Sequence, residues 1–450
     1  MKELFGTDGI RGRADEFPLD AGTVAVIGRS LARQFGERLQ RPPKFVIGRD
    51  TRESGESIER AFSSGASAVG ADCVSAGVIT TPGVAFLTRT EGFDAGIVIS
   101  ASHNPFYDNG IKVFLPSGEK IEEAIERETE RDIYRSFDDP QPLGSEAEIK
   151  IAAEFVEHYI AHLTGSVAGL SAGGIKIVLD CANGAASSIA PRVFSALGAS
   201  VIAIHDRPDG RNINEDCGSL HLGHLQAAVV EHGASLGVAF DGDADRALFV
   251  DENGEIVDGD ATLWAMAQYL KGHGRLDNGK VVATVMSNIG LELAMRSIDV
   301  ELLRAPVGDK YVLQQLLETG SEVGGEQSGH VIFPRHSLVG DGIMTALFML
   351  RAMIEKGVSL SHLADGFVRY PQVLVNIKVS EKPPFDSVPA IAAAANAVEA
   401  ELEGEGRLLL RYSGTEKLAR VMIEGREQAK IEEQANRIAA VIRDSIGARE

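Results

Sequence analysis

Residues 175–187 read IKIVLDCANGAAS, a β-branched run that enters a polar, glycine-containing turn and continues into small residues. This succession of strand, turn and helix is the unit of a parallel sheet covered by helices. The pattern recurs in residues 45–52, FVIGRDTR, and in residues 281–290, VVATVMSNIG, each followed by a predicted amphipathic helix. Three such units, each more than 100 residues from the next, predict three similar α/β domains.

Polar segments predict where these domains begin and end. Residues 138–145, DDPQPLGS, precede a predicted helix at 152–163 that leads into a second domain, and the turn at 251–254 leads toward a third. A strand at 373–379 and a helix at 428–446 predict a smaller C-terminal α+β domain. We therefore expect four domains, at residues 1–150, 151–252, 253–367 and 368–450.

Composition excludes several classes of partner. The 450 residues carry a net charge of −21, from 44 basic and 65 acidic side chains, which argues against binding to nucleic acid or an anionic membrane. The odd number of cysteines, Cys73, Cys181 and Cys217, indicates reduced thiols, and their spacing gives no CxxC signature. The first residues lack the apolar core of a signal peptide, so we expect a cytoplasmic protein.

The segment ISASHNP, residues 99–105, places Ser102 in a small-residue turn after a predicted strand. Pro105 biases Asn104 away from helical backbone angles, so the turn is expected to hold Ser102 at the end of the strand. A hydroxyl presented there can act as a nucleophile or phosphate carrier. Taken alone, the segment is more typical of a polar turn with a capping serine.

The segment DGDADR, residues 241–246, follows the predicted strand 236–240 and supplies three carboxylates at alternate positions. An extended backbone would point Asp241, Asp243 and Asp245 to one side, where a cation must neutralise them. Oxygen ligands favour Mg²⁺ or Ca²⁺. A calcium EF-hand is excluded because its sixth position is Arg246 rather than glycine. The alternative is a solvated acidic turn.

The segment GGEQSGH, residues 324–330, spaces polar side chains between glycines. Glu326 and Ser328 could hydrogen-bond adjacent hydroxyls of a sugar, and His330 could serve as an acid or a base. A tight glycine loop without a ligand is the alternative interpretation.

The segment RYSGTE, residues 411–416, follows a predicted strand and precedes Arg420. Guanidinium, hydroxyl and backbone N–H donors in one loop are typical of a phosphate cradle. Ser413 and Glu416 also have the spacing of a capping box, which predicts the start of a helix. The two interpretations are compatible, since helix N-termini bind anions.

Together with FGTDGIRG at residues 5–12, these motifs occur in the order found in the α-D-phosphohexomutase superfamily, which the chain resembles over nearly its whole length. The resemblance implies three α/β domains with mixed sheets and a C-terminal α+β domain around a central cleft. The sequence SAS at 100–102, Gln327, and YPQVLVN at 370–376 are most similar to bacterial members that act on glucosamine phosphate. Lys417 stands where the family usually has proline, which puts the conformation of the phosphate loop in question.

The resemblance also implies a role for each motif. Ser102 would be phosphorylated, and one Mg²⁺ per subunit would be held by the three aspartates and an oxygen of the Ser102 phosphoryl group. Arg11, His103 and Lys112 would surround the reacting phosphate, with Lys112 and His330 as candidates for proton transfer. The implied substrate-binding residues are Glu326, Ser328, Arg411, Ser413, Gly414, Thr415 and Arg420.

The implied activity is an isomerase that interconverts glucosamine 6-phosphate and glucosamine 1-phosphate through a phosphoserine and a 1,6-bisphosphate, on the route to UDP-N-acetylglucosamine and peptidoglycan. Hexose 1,6-bisphosphate would be the activator, and a kinase and a homodimer are further expected partners. Alternatives are a phosphomannomutase or phosphoglucomutase, a phosphatase, and a catalytically inactive sugar-phosphate-binding protein.

Overall fold

The computed structural model describes residues 3–6, 8–138, 149–413 and 416–448. They form two compact units, one from residues 1–286 and 303–365 and the other from residues 287–302 and 366–450. Each unit has hydrophobic cores of its own. Among the described residues, no helix combines the length and apolar character needed to span a membrane.

A seven-stranded mixed sheet forms the N-terminal part of the first unit. Its strands are β1 (Phe5–Gly6), β2 (Gly9–Arg13), β3 (Lys44–Arg49), β4 (Asp72–Val78), β5 (Ala95–Ile99), β6 (Asp108–Phe114) and β7 (Lys150–Ile151), in the order β1-β2-β6-β5-β3-β4-β7. The strands β3, β4, β5 and β7 are parallel, and β6 runs antiparallel to β5. The helices are α1 (Ala21–Leu39), α2 (Gly55–Ser67), α3 (Thr81–Thr90) and α4 (Glu123–Arg135). Every residue of β5 is buried, as expected of a strand covered on both faces.

The second sheet repeats this plan with five strands. They are β8 (Lys176–Asp180), β9 (Ser200–Ile204), β10 (Leu236–Phe240), β11 (Ala247–Asp251) and β12 (Ile256–Val257), in the order β12-β11-β10-β8-β9. Its helices are α5 (Glu154–Ser166), α6 (Ala190–Ala196) and α7 (Gly223–His232). The strand β8 is parallel to β9 and β10, whereas β11 returns antiparallel to β10, so the 241–246 turn joins two fully buried neighbours.

A third, smaller sheet contains β13 (Lys280–Thr284), β14 (Glu301–Ala305), β15 (Gly324–Gly325) and β16 (Val331–Ile332). The strand β15 pairs parallel with β13 and antiparallel with β16, which places the 324–330 loop between two short paired strands. The helices of this part of the chain are α8 (Gly259–Gly272), α9 (Ile289–Ser297), α10 (Asp309–Thr319), α11 (Gly342–Lys356) and α12 (Leu360–Ala364). Of these, α9 belongs to the second unit.

The C-terminal part of the second unit is an α+β arrangement, as predicted. Its antiparallel sheet has the order β17-β19-β18 and consists of β17 (Gln372–Lys378), β18 (Arg407–Tyr412) and β19 (Leu418–Glu424). The helices α13 (Pro389–Glu401) and α14 (Gln428–Ile446) pack on it around a core that includes Val421, Ile438 and Ile442.

Two local predictions are wrong. The residues after the 175–184 strand and turn do not enter a helix directly, because Ala185–Ser188 form a 3₁₀ turn and α6 begins at Ala190. The predicted helix start at 413–416 is wrong, because Leu418–Glu424 form a strand that pairs antiparallel with Arg407–Tyr412. Glu416 N–H donates to Ser413 Oγ at 3.2 Å, which is a hydrogen bond found in a capping box, but the chain then continues as a strand.

The helices α1 and α2 approach each other closely because glycine stands at both contact points. A Cβ atom on Gly65 would collide with the carbonyl oxygen of Ala25, and one on Gly28 would collide with that of Phe62. These contacts are backbone atoms, which cannot move aside as a flexible side chain would. The core beneath the seven-stranded sheet therefore depends on small residues at these two positions.

We expect Gly65→Ala to destabilise the first unit by about 1–3 kcal/mol, because the added methyl group forces the two helices apart. Gly165→Ala is the matched control, since a Cβ there meets nothing within 4 Å in helix α5. That variant is expected to gain about 0.5–1 kcal/mol from helix propensity. Calorimetric unfolding midpoints of both variants check the prediction, and equal midpoints would contradict it.

Candidate active site

Ser102 lies in the turn after β5 with an unusual backbone conformation. Its φ is +53°, in the left-handed region that residues other than glycine rarely adopt, and its side chain is 1% exposed. Such a conformation persists only where the surroundings hold it, and it is concentrated at functional sites. Ser102 thus occupies a buried, strained position at the end of β5, and its role as a phosphate carrier stays a prediction.

Two side chains from different parts of the first unit hold this turn. Arg52, fully buried and paired with Asp50 at 2.9 Å, donates to the carbonyl oxygens of Ser102 and Asn104, each at 2.9 Å. Asn214, from the segment between β9 and α7, donates to the same two oxygens at 2.9 and 3.0 Å. Arg52 and Asn214 could not be selected from the sequence, since no motif indicates that either side chain contacts Ser102.

The three aspartates converge, but the predicted extended backbone is wrong. Residues 241–246 form a turn, in which Ala244 has a φ of +55°. One oxygen from each of Asp241, Asp243 and Asp245 lies within 4.8 Å of the others, and the residues are at most 6% exposed. Because the backbone of residues 241–246 turns and is not extended, the three carboxylates meet at one point.

Lys112, on β6, is the cation that faces this cluster. Its Nζ lies 2.9 Å from Asp243, 3.3 Å from Asp245 and 3.0 Å from Asp8. Burial tends to lower the pKa of Lys112, but the carboxylates of Asp243, Asp8 and Asp245 outweigh it and raise that pKa well above its usual value. The ammonium group thus keeps its proton and neutralises part of the charge of the cluster, and the proton transfer predicted for Lys112 stays a prediction.

The cluster fits a divalent cation. Oδ1 of Asp243 and Oδ1 of Asp245 are buried without a hydrogen-bond partner, so acceptor capacity remains after Lys112 is satisfied. Ser102 Oγ donates to Asp241 Oδ2 at 2.5 Å, and Thr81 Oγ1 donates to Asp243 Oδ2 at 2.6 Å. An all-oxygen set beside the serine hydroxyl is the donor chemistry that Mg²⁺ takes.

Protonation of the cluster follows from its burial. Burial raises the pKa of Asp241 well above its usual value, and repulsion from Asp245 and Asp243 adds to the effect. Asp241 therefore retains its proton to a higher pH than an exposed aspartate. A cation at the cluster would reverse this repulsion and release the proton.

A cavity of about 450 Å³ opens beside the cluster. It is lined by predicted site residues from the first and third sheets, namely Arg11, His103, Glu326 and His330, and also by Arg246 and Asp309. Arg246 was cited in the sequence only to exclude an EF-hand. Its Nε is buried without a hydrogen-bond partner and lies 4.0 Å from Asp241 and 3.8 Å from Asp245. A basic residue directly after a predicted metal loop was the signal that could have identified it.

His103 adjoins the serine as a neutral group. Its Nδ1 lies 3.3 Å from Ser102 Oγ. Burial and the nearby guanidinium groups of Arg246 and Arg11 lower the pKa of His103 to about 4. At neutral pH the imidazole therefore carries no charge and can donate one hydrogen bond and accept another.

His330 is 4% exposed, and both of its ring nitrogens lack a hydrogen-bond partner. Its Nε2 lies 3.9 Å from Asp309 Oδ2. Glu326 accepts from the Gly308 N–H at 3.0 Å and from Ser328 Oγ at 3.3 Å, so the predicted sugar loop is anchored to the start of helix α10. His330 and Glu326 line the same cavity as Arg11 and His103.

The predicted phosphate-binding residues belong to the second unit. Arg411 and Arg420 face each other across β18 and β19, and Nε of Arg420 is buried without a hydrogen-bond partner. Glu416 is 3.9 Å from Arg420 and mostly exposed. Two like charges directly opposite each other are unfavourable unless an anion joins them. Ser413 is buried at the hairpin, whereas Gly414 and Thr415 lie outside the described residues.

Four family models match successive parts of the chain. They are described as phosphoglucomutase/phosphomannomutase, alpha/beta/alpha domain I over residues 2–139, domain II over 155–254, domain III over 258–370, and the C-terminal domain over 374–441. The predicted fold class, three α/β domains and a C-terminal domain, is confirmed. The domain boundaries and the central cleft stay predictions.

Curated relatives match the chain from end to end. The phosphoglucosamine mutase of Solibacter usitatus is 47% identical over 449 residues, with 99% of each chain covered. That of Corynebacterium glutamicum is 46% identical over 447 residues, covering 98% of this chain and 99% of the relative. The predicted enzyme class, an isomerase, is confirmed by this similarity.

Solved structures share the fold. A phosphoglucomutase/phosphomannomutase family protein of Burkholderia thailandensis has a TM-score of 0.78 at 24% identity, covering 98% of this chain and 97% of that one. The N-acetylphosphoglucosamine mutase of Aspergillus fumigatus, solved with GlcNAc-6P and magnesium, has a TM-score of 0.68 at 19% identity. The match covers 99% of this chain and 96% of that one.

We expect Mg²⁺ affinity at the aspartate cluster to rise with pH, because binding displaces the proton that Asp241 holds at an elevated pKa. The affinity should change by up to about tenfold per pH unit below that pKa, with about one proton released per ion. Calorimetric titration in buffers of different ionisation enthalpy measures the released proton. In Asp241→Asn the release should vanish, and affinity independent of pH in the wild type would contradict the assignment.

Proposed function

Because the chain belongs to the phosphoglucomutase/phosphomannomutase family, and relatives that match its full length are phosphoglucosamine mutases, we propose that it interconverts glucosamine 6-phosphate and glucosamine 1-phosphate. The observation that carries the chemistry is the buried Ser102 hydroxyl, 2.5 Å from Asp241 in a cluster of three carboxylates at the edge of a cavity. A serine in that setting suits a phosphoryl carrier rather than a capping role.

In the proposed reaction, phosphorylated Ser102 gives its phosphoryl group to the free hydroxyl of the bound sugar phosphate. The bond from phosphorus to Ser102 Oγ breaks, a bond to the sugar oxygen forms, and the hydroxyl proton passes to a protein base. The product is glucosamine 1,6-bisphosphate, which reorients and returns its other phosphoryl group to Ser102. The bond from phosphorus to the sugar oxygen breaks, and that oxygen takes the proton from the base, which leaves glucosamine 1-phosphate. A leaked bisphosphate would leave the serine unphosphorylated, so a hexose 1,6-bisphosphate is the proposed activator.

Charge neutralisation dominates such a transfer, since the transferring group carries its charge on peripheral oxygens. Asp241, Asp243 and Asp245 would hold Mg²⁺, which supplies a Lewis acid beside the transferring oxygens. Arg11 and Arg246 would face the phosphoryl oxygens from the cavity, each with a buried Nε that has no partner. His103, whose Nδ1 is 3.3 Å from Ser102 Oγ, would orient them with a hydrogen bond.

His330 is the proposed proton-transfer group. It lines the cavity with both ring nitrogens unpartnered, so either can meet a sugar hydroxyl. Lys112 is a weaker candidate, because its ammonium group is held by three carboxylates and its pKa is raised well above its usual value. We therefore assign Lys112 to the neutralisation of the aspartate cluster.

Glu326 and Ser328 are proposed to bind hydroxyls of the sugar, since both belong to the loop beside His330. The non-reacting phosphate would be bound by Arg411, Ser413, Gly414, Thr415 and Arg420. The opposed arginines on β18 and β19 support this assignment, because a dianion would relieve their repulsion.

A phosphomannomutase or phosphoglucomutase activity is the second candidate, since the family models carry both names. A sugar-phosphate-binding protein without catalysis is disfavoured by the presence of Ser102 and all three aspartates. A homodimer, an activating kinase, a cytoplasmic location and a place on the route to UDP-N-acetylglucosamine stay predictions.

Active enzyme is expected to carry one phosphoryl group on Ser102, because the serine is the only carrier in the proposed cycle. Intact-protein mass measurement before and after incubation with glucose 1,6-bisphosphate should show it, and peptide mapping should place it. Ser102→Ala should take up none and lose turnover while keeping its unfolding midpoint. A fully active enzyme without phosphate at Ser102 after that incubation would overturn the mechanism.

His330→Asn is expected to lower kcat by about 10²–10⁴-fold, because the sugar hydroxyl would lose its proton acceptor. The Mg²⁺ affinity should stay within about twofold, since His330 is not a proposed ligand. His336→Asn, another histidine of the same unit, serves as the control and should retain kcat. Steady-state kinetics at saturating substrate decide, and an unchanged kcat in His330→Asn would remove this residue from the mechanism.

The enzyme should prefer glucosamine 6-phosphate to the glucose and mannose phosphates by about tenfold or more in kcat/KM. A single polar contact supplies about 1–3 kcal/mol of discrimination, and the amino group at C2 differs from a hydroxyl in charge and in donors. Gln327, in the sugar loop, is the residue expected to contribute to this discrimination. Gln327→Met should therefore lower the ratio of kcat/KM for glucosamine 6-phosphate to kcat/KM for the other two sugar phosphates. Competition kinetics with the three substrates measure it, and equal values would favour the second candidate.

A further inference from the structure

A second group of metal-ligating side chains lies in the second sheet, apart from the three aspartates. Asp180 ends β8 and His205 directly follows β9, the parallel neighbour in which Ile204 is in register with Asp180. Both side chains therefore leave the sheet at the same edge. The segment that follows His205 folds back and places Cys217 beside them.

The three ligand atoms are close together. One atom each of Asp180, His205 and Cys217 lies within 4.8 Å of the others, and Asp180 Oδ2 is 3.1 Å from His205 Nδ1. Asp180 is fully buried and Cys217 is 1% exposed, whereas the His205 side chain is 25% exposed. The group is thus built into the protein with one side open to entry from solvent.

The imidazole of His205 lies against the Asp180 carboxylate on the open side of the group. Its Nδ1 is buried and has no partner in hydrogen-bonding geometry, although the Asp180 carboxylate is within reach. The carboxylate itself is fixed, because Oδ1 accepts from Ala182 N–H at 2.9 Å and Oδ2 from Gly218 N–H at 3.0 Å. Nitrogen, oxygen and sulfur thus lie close to one another, with His205 Nδ1 at ion-pair distance from the Asp180 carboxylate.

We propose that Asp180, His205 and Cys217 bind Zn²⁺ through carboxylate, imidazole and thiolate. This donor set selects zinc over magnesium, because thiolate and imidazole are soft ligands that Mg²⁺ does not take. Zinc sites are four-coordinate, and the fourth position would be filled by water or by His224, whose ring centroid is 5.3 Å from that of His205. Asn183 Nδ2, 4.0 Å from Cys217 Sγ, would donate to the thiolate.

The zinc ion would brace the segment that holds the Ser102 turn. Asn214 lies on this segment, three residues before Cys217, and donates to the carbonyl oxygens of Ser102 and Asn104. Its own N–H donates to Ala182 O at 2.9 Å, beside Asp180. An ion joining β8, β9 and this segment would hold Asn214 in place. The role is structural, and the binding of zinc does not rest on the proposed function.

Titration of the full-length protein with Co²⁺, a spectroscopic substitute for Zn²⁺, tests the site. Saturating Mg²⁺ is present to occupy the three aspartates. Coordination by Cys217 should produce thiolate-to-cobalt charge-transfer absorption, which an all-oxygen site cannot give. The absorption should disappear in Cys217→Ser and persist in Cys73→Ser, the control for a thiol elsewhere. Absence of the band from the wild type, or its persistence in Cys217→Ser, would overturn the proposal.

Zinc affinity provides the second measurement. Competition with a chromogenic chelator in saturating Mg²⁺ should show one tight site per chain in the wild type, weakened at least about 100-fold in Cys217→Ser and in His205→Gln. His205→Gln keeps the proposal testable should Cys217→Ser fail to fold, since His205 is partly exposed. His232→Gln is its control and should bind zinc normally. Equal affinity in His205→Gln and the wild type would exclude His205 as a ligand.

Discussion

Repulsion among three buried carboxylates is the constraint on which the arrangement of the first unit depends. Asp241, Asp243 and Asp245 are all buried, and one oxygen of each lies within 4.8 Å of the others. Charges of one sign that close, in a medium less polar than water, are strongly unfavourable without a cation. Lys112 reaches the cluster from the first sheet, and oxygens of Asp243 and Asp245 remain without partners. Docking of the first two sheets is therefore tied to the electrostatics of the site, and a bound metal ion would complete the neutralisation.

The geometry of Ser102 depends on the same docking. Its left-handed backbone is held by Arg52, which follows β3 of the first sheet, and by Asn214, which follows β9 of the second. Neither side chain touches the hydroxyl, yet both fix the peptide that carries it. A strained backbone conformation of this kind persists only when several hydrogen bonds hold it in place. A reactive serine can thus be presented rigidly although it lies in a turn and not in a strand.

Where the sequence-based expectations were wrong, tertiary contacts overrode a local pattern. Alternate aspartates suggest an extended strand, but a turn is the geometry that gathers three carboxylates at one point. Ser413 and Glu416 have the spacing of a capping box, yet pairing with β18 turns the following residues into a strand. The carboxylates of Asp8, Asp243 and Asp245, all distant from Lys112 in the sequence, keep Lys112 protonated, and its proposed part in proton transfer stays a prediction.

The sequence alone determined the α/β class, the strands at 236–240 and 247–251, the helix at 428–446 and the motifs containing Ser102, the three aspartates and His330. These follow from hydrophobic periodicity and from residue types whose chemistry is local. Only the tertiary structure identified Arg52, Asn214 and Thr81 as neighbours of the serine and the aspartates, and brought Asp180, His205 and Cys217 together. The reason is physical: these contacts join side chains from separate strands and turns, and no periodicity along the chain records which strand ends lie side by side.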